Sequence, residues 1–213
     1  MVLGNLYASP NLLTSDFRDL ECMMIGSPAF KAVLSEFGSL RRIGAFGGIV
    51  SVQKATINSA SHIGKLRFHS QHMGLNVVFQ DLDISKIVDR KSLSIDPKTL
   101  LNHLNARQGI NGTRMSAVDL SQADISCANA KCGKQKRYFN DPLQLCRGHD
   151  LMELLAVAFR STLGSRSAAE SSRENVESLF RLNYVAHFRN SQLAISIKSW
   201  LKRSNLHTTV ALV

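Results

Sequence analysis

The spacing of apolar positions changes along the chain. In the first forty residues it is helical. Phe17, Leu20, Met23 and Met24 form a short run capped by Ser15 and stopped at Gly26. Phe30, Val33, Leu34 and Phe37 form a second, opened by Ser27 and Pro28 and closed by Gly38. From Ile49 to about Ile84 the residues become β-branched and aromatic. The runs 49–57, 63–68 and 75–82 have strand length, and short Ser-, Asn- and Gly-containing breaks separate them. A meander or small mixed sheet is predicted there. Asp96 and Pro97 then open a helix through Leu100, Leu101 and Leu104 that stops near Gly109, and Met115 to Leu120 reads as a further strand.

Helical spacing returns after His149. Asp150 is the predicted N-cap of a helix over 151–163, on which Leu151, Leu154, Leu155, Ala158 and Phe159 share a face. The Ser-rich stretch Gly164 to Ser172 reads as a loop or linker, and Val176, Leu179, Phe180 and Val185 mark another helix. Gln192 to Lys202 fits two patterns: Leu193, Ile195 and Ile197 alternate as in a strand, whereas Ile197, Trp200 and Leu201 fit a helix. Thr208 to Val213 is either an edge strand or without regular structure. The expected fold is α+β: a helical N-terminus, a small central β-sheet, an embedded zinc finger and a helical C-terminal part. The corresponding regions are 1–120, 121–150 and 151–213.

Composition adds the chemistry. Of 213 residues, 44% are apolar, enough for a core. Lys and Arg number 26 against 16 Asp and Glu, a net charge of +10. That excess favours polyanionic partners such as nucleic acid. Aromatics at 7% argue against an extended base-stacking platform. No stretch approaches the roughly 18 uncharged apolar residues a membrane span needs. Four cysteines are sparse for a disulfide scaffold, and the N-terminus has no basic stretch followed by an apolar one. A reducing, intracellular compartment, cytoplasm or nucleus, is expected.

In such a compartment clustered cysteines point to metal. Cys127, Cys132, Cys146 and His149 follow the order C-x4-C-x13-C-x2-H. Three thiolates and one imidazole suit a tetrahedral Zn2+ site. Cys146 to His149 reads as a tight knuckle, with Gly148 free to take a positive φ. Asn140, Asp141 and Pro142 signal a turn, with Tyr138 and Phe139 before it and Leu143 and Leu145 after it, a short hairpin beside the metal. The alternative is buried, unligated thiols. Cys22 reads as a core residue, and His69 and His72 as ordinary strand or loop histidines.

The string from Cys127 through Lys131, Cys132, Gly133 and Lys134 to Leu145, Cys146, Arg147, Gly148 and His149 resembles the short C-x4-C-[G/D]-[K/R]…L-C-x2-H zinc motif. That motif recurs in DNA- and RNA-associated proteins of phages, bacteria and eukaryotes. The match spans the 23 residues 127–149, with a longer gap before the Leu-Cys pair than is usual. In size and composition the chain is also similar in outline to accessory and silencing-suppressor proteins of plant viruses.

A closed Cys3His site leaves no open coordination position, so a structural role is expected. Its surroundings are basic: Lys131, Lys134, Lys136, Arg137 and Arg147 against Asp141, with Tyr138 and Phe139 beside two of the cations. Cations next to aromatics suit phosphate contact and base stacking. Arg160, Arg166, Arg173, Arg181, Arg189, Lys198, Lys202 and Arg203 add charge against only Glu170, Glu174 and Glu177. The expected function is nucleic-acid binding, RNA ahead of DNA, through phosphates. The alternative is a zinc-stabilised protein–protein adaptor or homo-oligomer. No enzyme is expected: HExxH, a nucleophile elbow and a phosphate loop are absent, the glycines at 44, 47 and 48 read as a turn, and no open metal site for a nuclease can be assembled.

Overall fold

The computed structural model describes residues 13, 15–80, 82–109, 112–129, 141–164 and 171–204, and among these it has helices and no strand. The helices are α1 (Leu20–Ile25), α2 (Ala29–Phe37), α3 (Leu40–Ala45), α4 (Ile49–His72), α5 (Pro97–Arg107), α6 (Ala117–Asn129), α7 (Pro142–Leu145), α8 (Gly148–Ala158), α9 (Arg173–Phe188) and α10 (Gln192–Arg203). A 3₁₀ turn spans Ile84–Lys86, and α8 runs on into a π-helical turn, Phe159–Leu163. The fold is all-helical, which overturns the expected α+β class with a central β-sheet.

The central error is α4, which replaces the strands expected over 49–57 and 63–68. Gly47 and Gly48, both at positive φ, end α3 and lead into it. Its buried residues Val52, Thr56, Ser59, Ala60, Ile63, Gly64, Arg67 and Ser70 recur three and four apart, on a helical face. The β-branched residues and the small, polar stretch 58–61 concealed this period. The stretch is a contact surface instead of a break. The Ser59 hydroxyl donates to the Leu93 carbonyl and that of Thr56 to the Val52 carbonyl, 2.9 Å. A β-carbon on Gly64 would collide with the Leu145 carbonyl, so α7 crosses α4 where no side chain intervenes. Helices α2, α3, α6, α7 and α8 pack around α4, which is why its sequence lacks a clean apolar stripe.

The other two expected strands fail for a shared reason: their backbone groups find side-chain amides on α5 and on the residue that ends it, in place of a strand. Over Leu75–Gln80, the Val78 N–H donates to Gln108 Oε1 and the Val78 carbonyl accepts from Gln108 Nε2, both at 3.0 Å. The Met115 N–H donates to Asn105 Oδ1 (2.9 Å) and its carbonyl accepts from Asn105 Nδ2 (2.7 Å). Helix α6 then begins at Ala117, where the Ser116 hydroxyl accepts from the Asp119 N–H and the Asp119 carboxylate accepts from the Ser116 N–H, a reciprocal cap.

Helix α2 and helix α5 stand where their signals put them, with Asp96 accepting from the Thr99 N–H behind Pro97. The α1 cap is Asp19, not Ser15. Its carboxylate accepts from Cys22 N–H (3.0 Å) and also from Gly148 N–H (2.7 Å), tying the starts of α1 and α8 together. Leu143 and Leu145 lie in the one-turn helix α7, capped by Asp141, in place of the expected hairpin strand. Helix α8 begins two residues before Asp150, which is buried and not its cap. Gln192 to Arg203 resolves as helix. The residues 165–170 of the expected linker and the segment 208–213 lie outside the described residues. Phe30 of α2 and Phe180 of α9 meet with ring centroids 6.0 Å apart, and with Phe159 and Leu155 they fill a core shared by helices from all parts of the chain. Each large side chain buried this way contributes about 1.5–3 kcal/mol.

Candidate functional site

The expected zinc ligands come from different elements. Cys127 sits near the end of α6, Cys146 in the link between α7 and α8, and His149 in the first turn of α8, while Cys132 lies outside the described residues. Cys146 is fully buried; its thiol faces the Ile57 carbonyl at 3.5 Å, and its own carbonyl accepts from the Cys22 thiol at 3.4 Å. Burial, with Asp150 and Asp19 nearby, pushes the Cys146 thiol well above the ordinary range. Burial likewise pushes Cys127 up to about 11. His149 is exposed, and its ring accepts from the Arg173 guanidinium. Partial burial, then Arg173 and Arg147, lower its pKa.

Cys127, Cys146 and His149 do not form a metal-holding group among the described residues. The charged neighbours of Cys127 are Lys65 and Asp124, those of Cys146 are Asp150, Asp19, Arg18 and Asp141, and none is shared. Among the described residues no group of three or more His, Cys, Asp or Glu side chains is set to hold a metal ion. Cys22, expected to be core, is buried, and it stands directly beside the Cys146 backbone.

Of the expected nucleic-acid patch, Arg147 is described and exposed; Lys131, Lys134, Lys136, Arg137, Tyr138 and Phe139 lie outside the described residues. Of the C-terminal cations, Arg166 lies outside the described residues and the other seven divide into two sets. Arg160 pairs with Glu153, Arg173 with Glu174 and Arg181 with Glu177. Arg189, Lys198, Lys202 and Arg203 are exposed and have no carboxylate partner among the described residues. Three of these lie on α10, which buries Ala194 alone and keeps Trp200 half-buried. No described helix is long and apolar enough to cross a membrane.

Two constellations escaped the sequence reading. Arg67 on α4 forms a buried ion pair with Asp150 on α8, Nη1 to Oδ2 at 2.9 Å, and the Phe79 ring lies 5.1 Å from the guanidinium. His69 is the second: its Nδ1 meets the Ser126 hydroxyl at 2.8 Å and its Nε2 meets Asp119 at 3.2 Å, joining α4 to α6. At 2% exposure His69 is shielded from any substrate in this arrangement, and it acts as a clamp between helices. Both constellations become visible only when 49–72 is read as one helix, because Arg67, His69 and Ser70 then join the buried face. His72, one turn on, is exposed and stacks on Phe68 with ring centroids 5.8 Å apart. Compared with protein families, with curated proteins and with solved structures, the chain matches none.

Proposed function

We propose that this protein binds nucleic acid, RNA ahead of DNA, through phosphate contacts with little sequence readout. The observation that carries the reading is the charge of the C-terminal part. After Glu177 the chain contains no Asp or Glu. Helix α10 holds Lys198, Lys202 and Arg203 exposed within that acid-free stretch. Exposed cations without carboxylate partners are free to replace the counterions of a phosphate backbone. The basic residues from Lys131 to Arg147 would extend this surface. Cys127, Cys132, Cys146 and His149 remain the proposed Zn2+ ligands on the strength of their spacing, with a structural role.

The test is fluorescence anisotropy with RNA and DNA oligomers of equal length at low and moderate salt. Binding should weaken steeply with salt. Changing Lys198, Lys202 and Arg203 together to Ala should lower the salt slope by about 2, since each contact to a single strand contributes roughly 0.7. An unchanged slope removes α10 from the interface. Metal content is read separately: one Zn2+ per chain by mass spectrometry, falling by more than half in Cys146→Ser, is the result the ligand assignment requires. The adaptor reading keeps one observation in its favour. Leu182 is 74% exposed on α9, with Val185 and Ile195 also exposed, and a partner docked there would bind with little response to salt.

A further inference from the structure

We propose that the cavity at the C-terminal end of α4 binds the oxyanion group of a small molecule, a carboxylate or a phosphate. The cavity holds about 300 Å3 and is lined by Arg67, Ser70, Gln71, Asn76, Val77 and Phe79. This places it at the small end of ligand pockets. The inference is independent of the RNA surface and stands or falls without it.

The central observation is an unused donor. Arg67 is 8% exposed, and its Nη1 is committed to Asp150, but its Nη2 has no hydrogen-bond partner among the described residues. A guanidinium N–H withdrawn from water and left without an acceptor is an energetic deficit that a ligand oxygen would remove. The group is also held in place: Asp150 grips one side and the Phe79 ring covers a face. A planar fork fixed in this way matches a carboxylate or phosphate edge.

The rest of the lining agrees. The Ser70 hydroxyl accepts from the Val77 N–H at 3.1 Å, and among the described residues its proton has no acceptor, so it supplies a second donor. Gln71 and Asn76 are exposed at the rim and add amide groups. Among the described residues no Asp or Glu lines the cavity, so none of its described wall repels an anion. Because Asp150 already balances Arg67, a singly charged oxyanion suits the site better than a doubly charged one. Val77 and Phe79 give the ligand an apolar wall, which favours an anionic group carried on a small apolar body. The strap bearing these two residues is prearranged: Ser70 and Gln108 hold Val77 and Val78, and Gly74 and Asn76 take positive φ at its start.

The test uses the full chain, with acetate and inorganic phosphate as probes and chloride at equal ionic strength as the control. Isothermal titration should show saturable binding at one site per chain for acetate or for phosphate. Whichever anion binds more tightly identifies the ligand group. The variant Arg67→Met with Asp150→Leu removes the donor and the buried pair together and keeps the volume filled, a replacement that buried ion pairs commonly tolerate. It should raise the dissociation constant about tenfold or more, the effect of losing a charge-assisted hydrogen bond. Should that variant fail to fold, Ser70→Ala and Phe79→Leu serve in its place, each weakening binding by about threefold or more through loss of one neutral contact. Absence of saturable binding by either anion overturns the proposal. So does an unchanged dissociation constant in the folded variants.

Discussion

Helix α4 contains Ser59, Ser61, Gly64, Arg67, His69 and Ser70 and buries every one of them, whereas α10 contains Leu193, Ile195, Ile197, Trp200 and Leu201 and fully buries none. The sequence pattern favours the opposite assignment, because α10 has the cleaner apolar stripe. What separates them is the number of neighbours. Helix α4 is enclosed by other helices, so close approach and satisfied polar groups matter more there than apolar area. Its buried ionisable residues are paired, Arg67 with Asp150 through Nη1 and His69 with Asp119 and Ser126, and among the described residues Arg67 Nη2 alone is left over at the cavity. Helix α10 lies at the margin, fastened at its first turn, with Leu193 packed against the core and the basic residues outside.

The largest effect that would break this contrast is expected at Asp150. Its carboxylate is buried beside Arg67, so Asp150→Ala leaves a buried guanidinium without its counter-charge. The expected loss is about 3–5 kcal/mol, read from the denaturation midpoint in urea. A loss below about 1 kcal/mol, the ceiling for most exposed pairs, would mean that water reaches Arg67 and that α4 is less enclosed than its surroundings indicate.

Gly64→Ala is next. Its β-carbon would strike the Leu145 carbonyl, and backbone cannot rotate aside as a flexible side chain can. Helix propensity alone favours Ala by about 1 kcal/mol, but overpacking costs about 1–3 kcal/mol, so the two effects compete. We expect a net loss of about 1–2 kcal/mol at this position. Gly44, where an added β-carbon meets nothing within 4 Å, is the internal control: there the same change should stabilise. Stabilisation at both sites would show that α7 can move away and that the crossing is loose.

The contrast also explains what could be read from the chain. Helix α5 was legible because Asp96, Pro97 and the leucine spacing act locally, and α2 was legible for the same reason. The sheet was misread because β-branched residues at 49–57 carry a propensity that tertiary packing overrode. The segments 75–82 and 115–120 look strand-like because of their β-branched and apolar residues, but Val78 and Met115 satisfy their backbone groups on Gln108 and Asn105, residues 117–120 belong to α6, and no local signal marks that choice. The candidate site divides in the same way. Cys146 and His149 stand out by spacing, yet spacing does not tell that Cys146 faces Ile57 and Cys22. Arg67 and Asp150 are 83 residues apart, and their pairing depends on the packing of α4 against α8.

The smallest of the three effects, and the one that sharpens the contrast most, is expected at Asp16. Its two carboxylate oxygens accept from the first N–H groups of α10, Gln192 at 2.9 Å and Leu193 at 2.8 Å, while the Ser191 hydroxyl caps Ala194 at 3.0 Å. Asp16→Ala removes a cap but leaves no buried orphan, because water can reach the freed N–H groups. The expected cost is about 1 kcal/mol, confined to α10. Hydrogen exchange should therefore quicken at Gln192 and Leu193 and remain unchanged at Ile63, Leu66 and Arg67 on α4. If α10 opens separately from the rest, its basic face can reorganise on a phosphate backbone without disturbing the core. If exchange quickens equally on α4, α10 and the core unfold as one unit, and a helix that buries little would be shown to stabilise the molecule through its end alone.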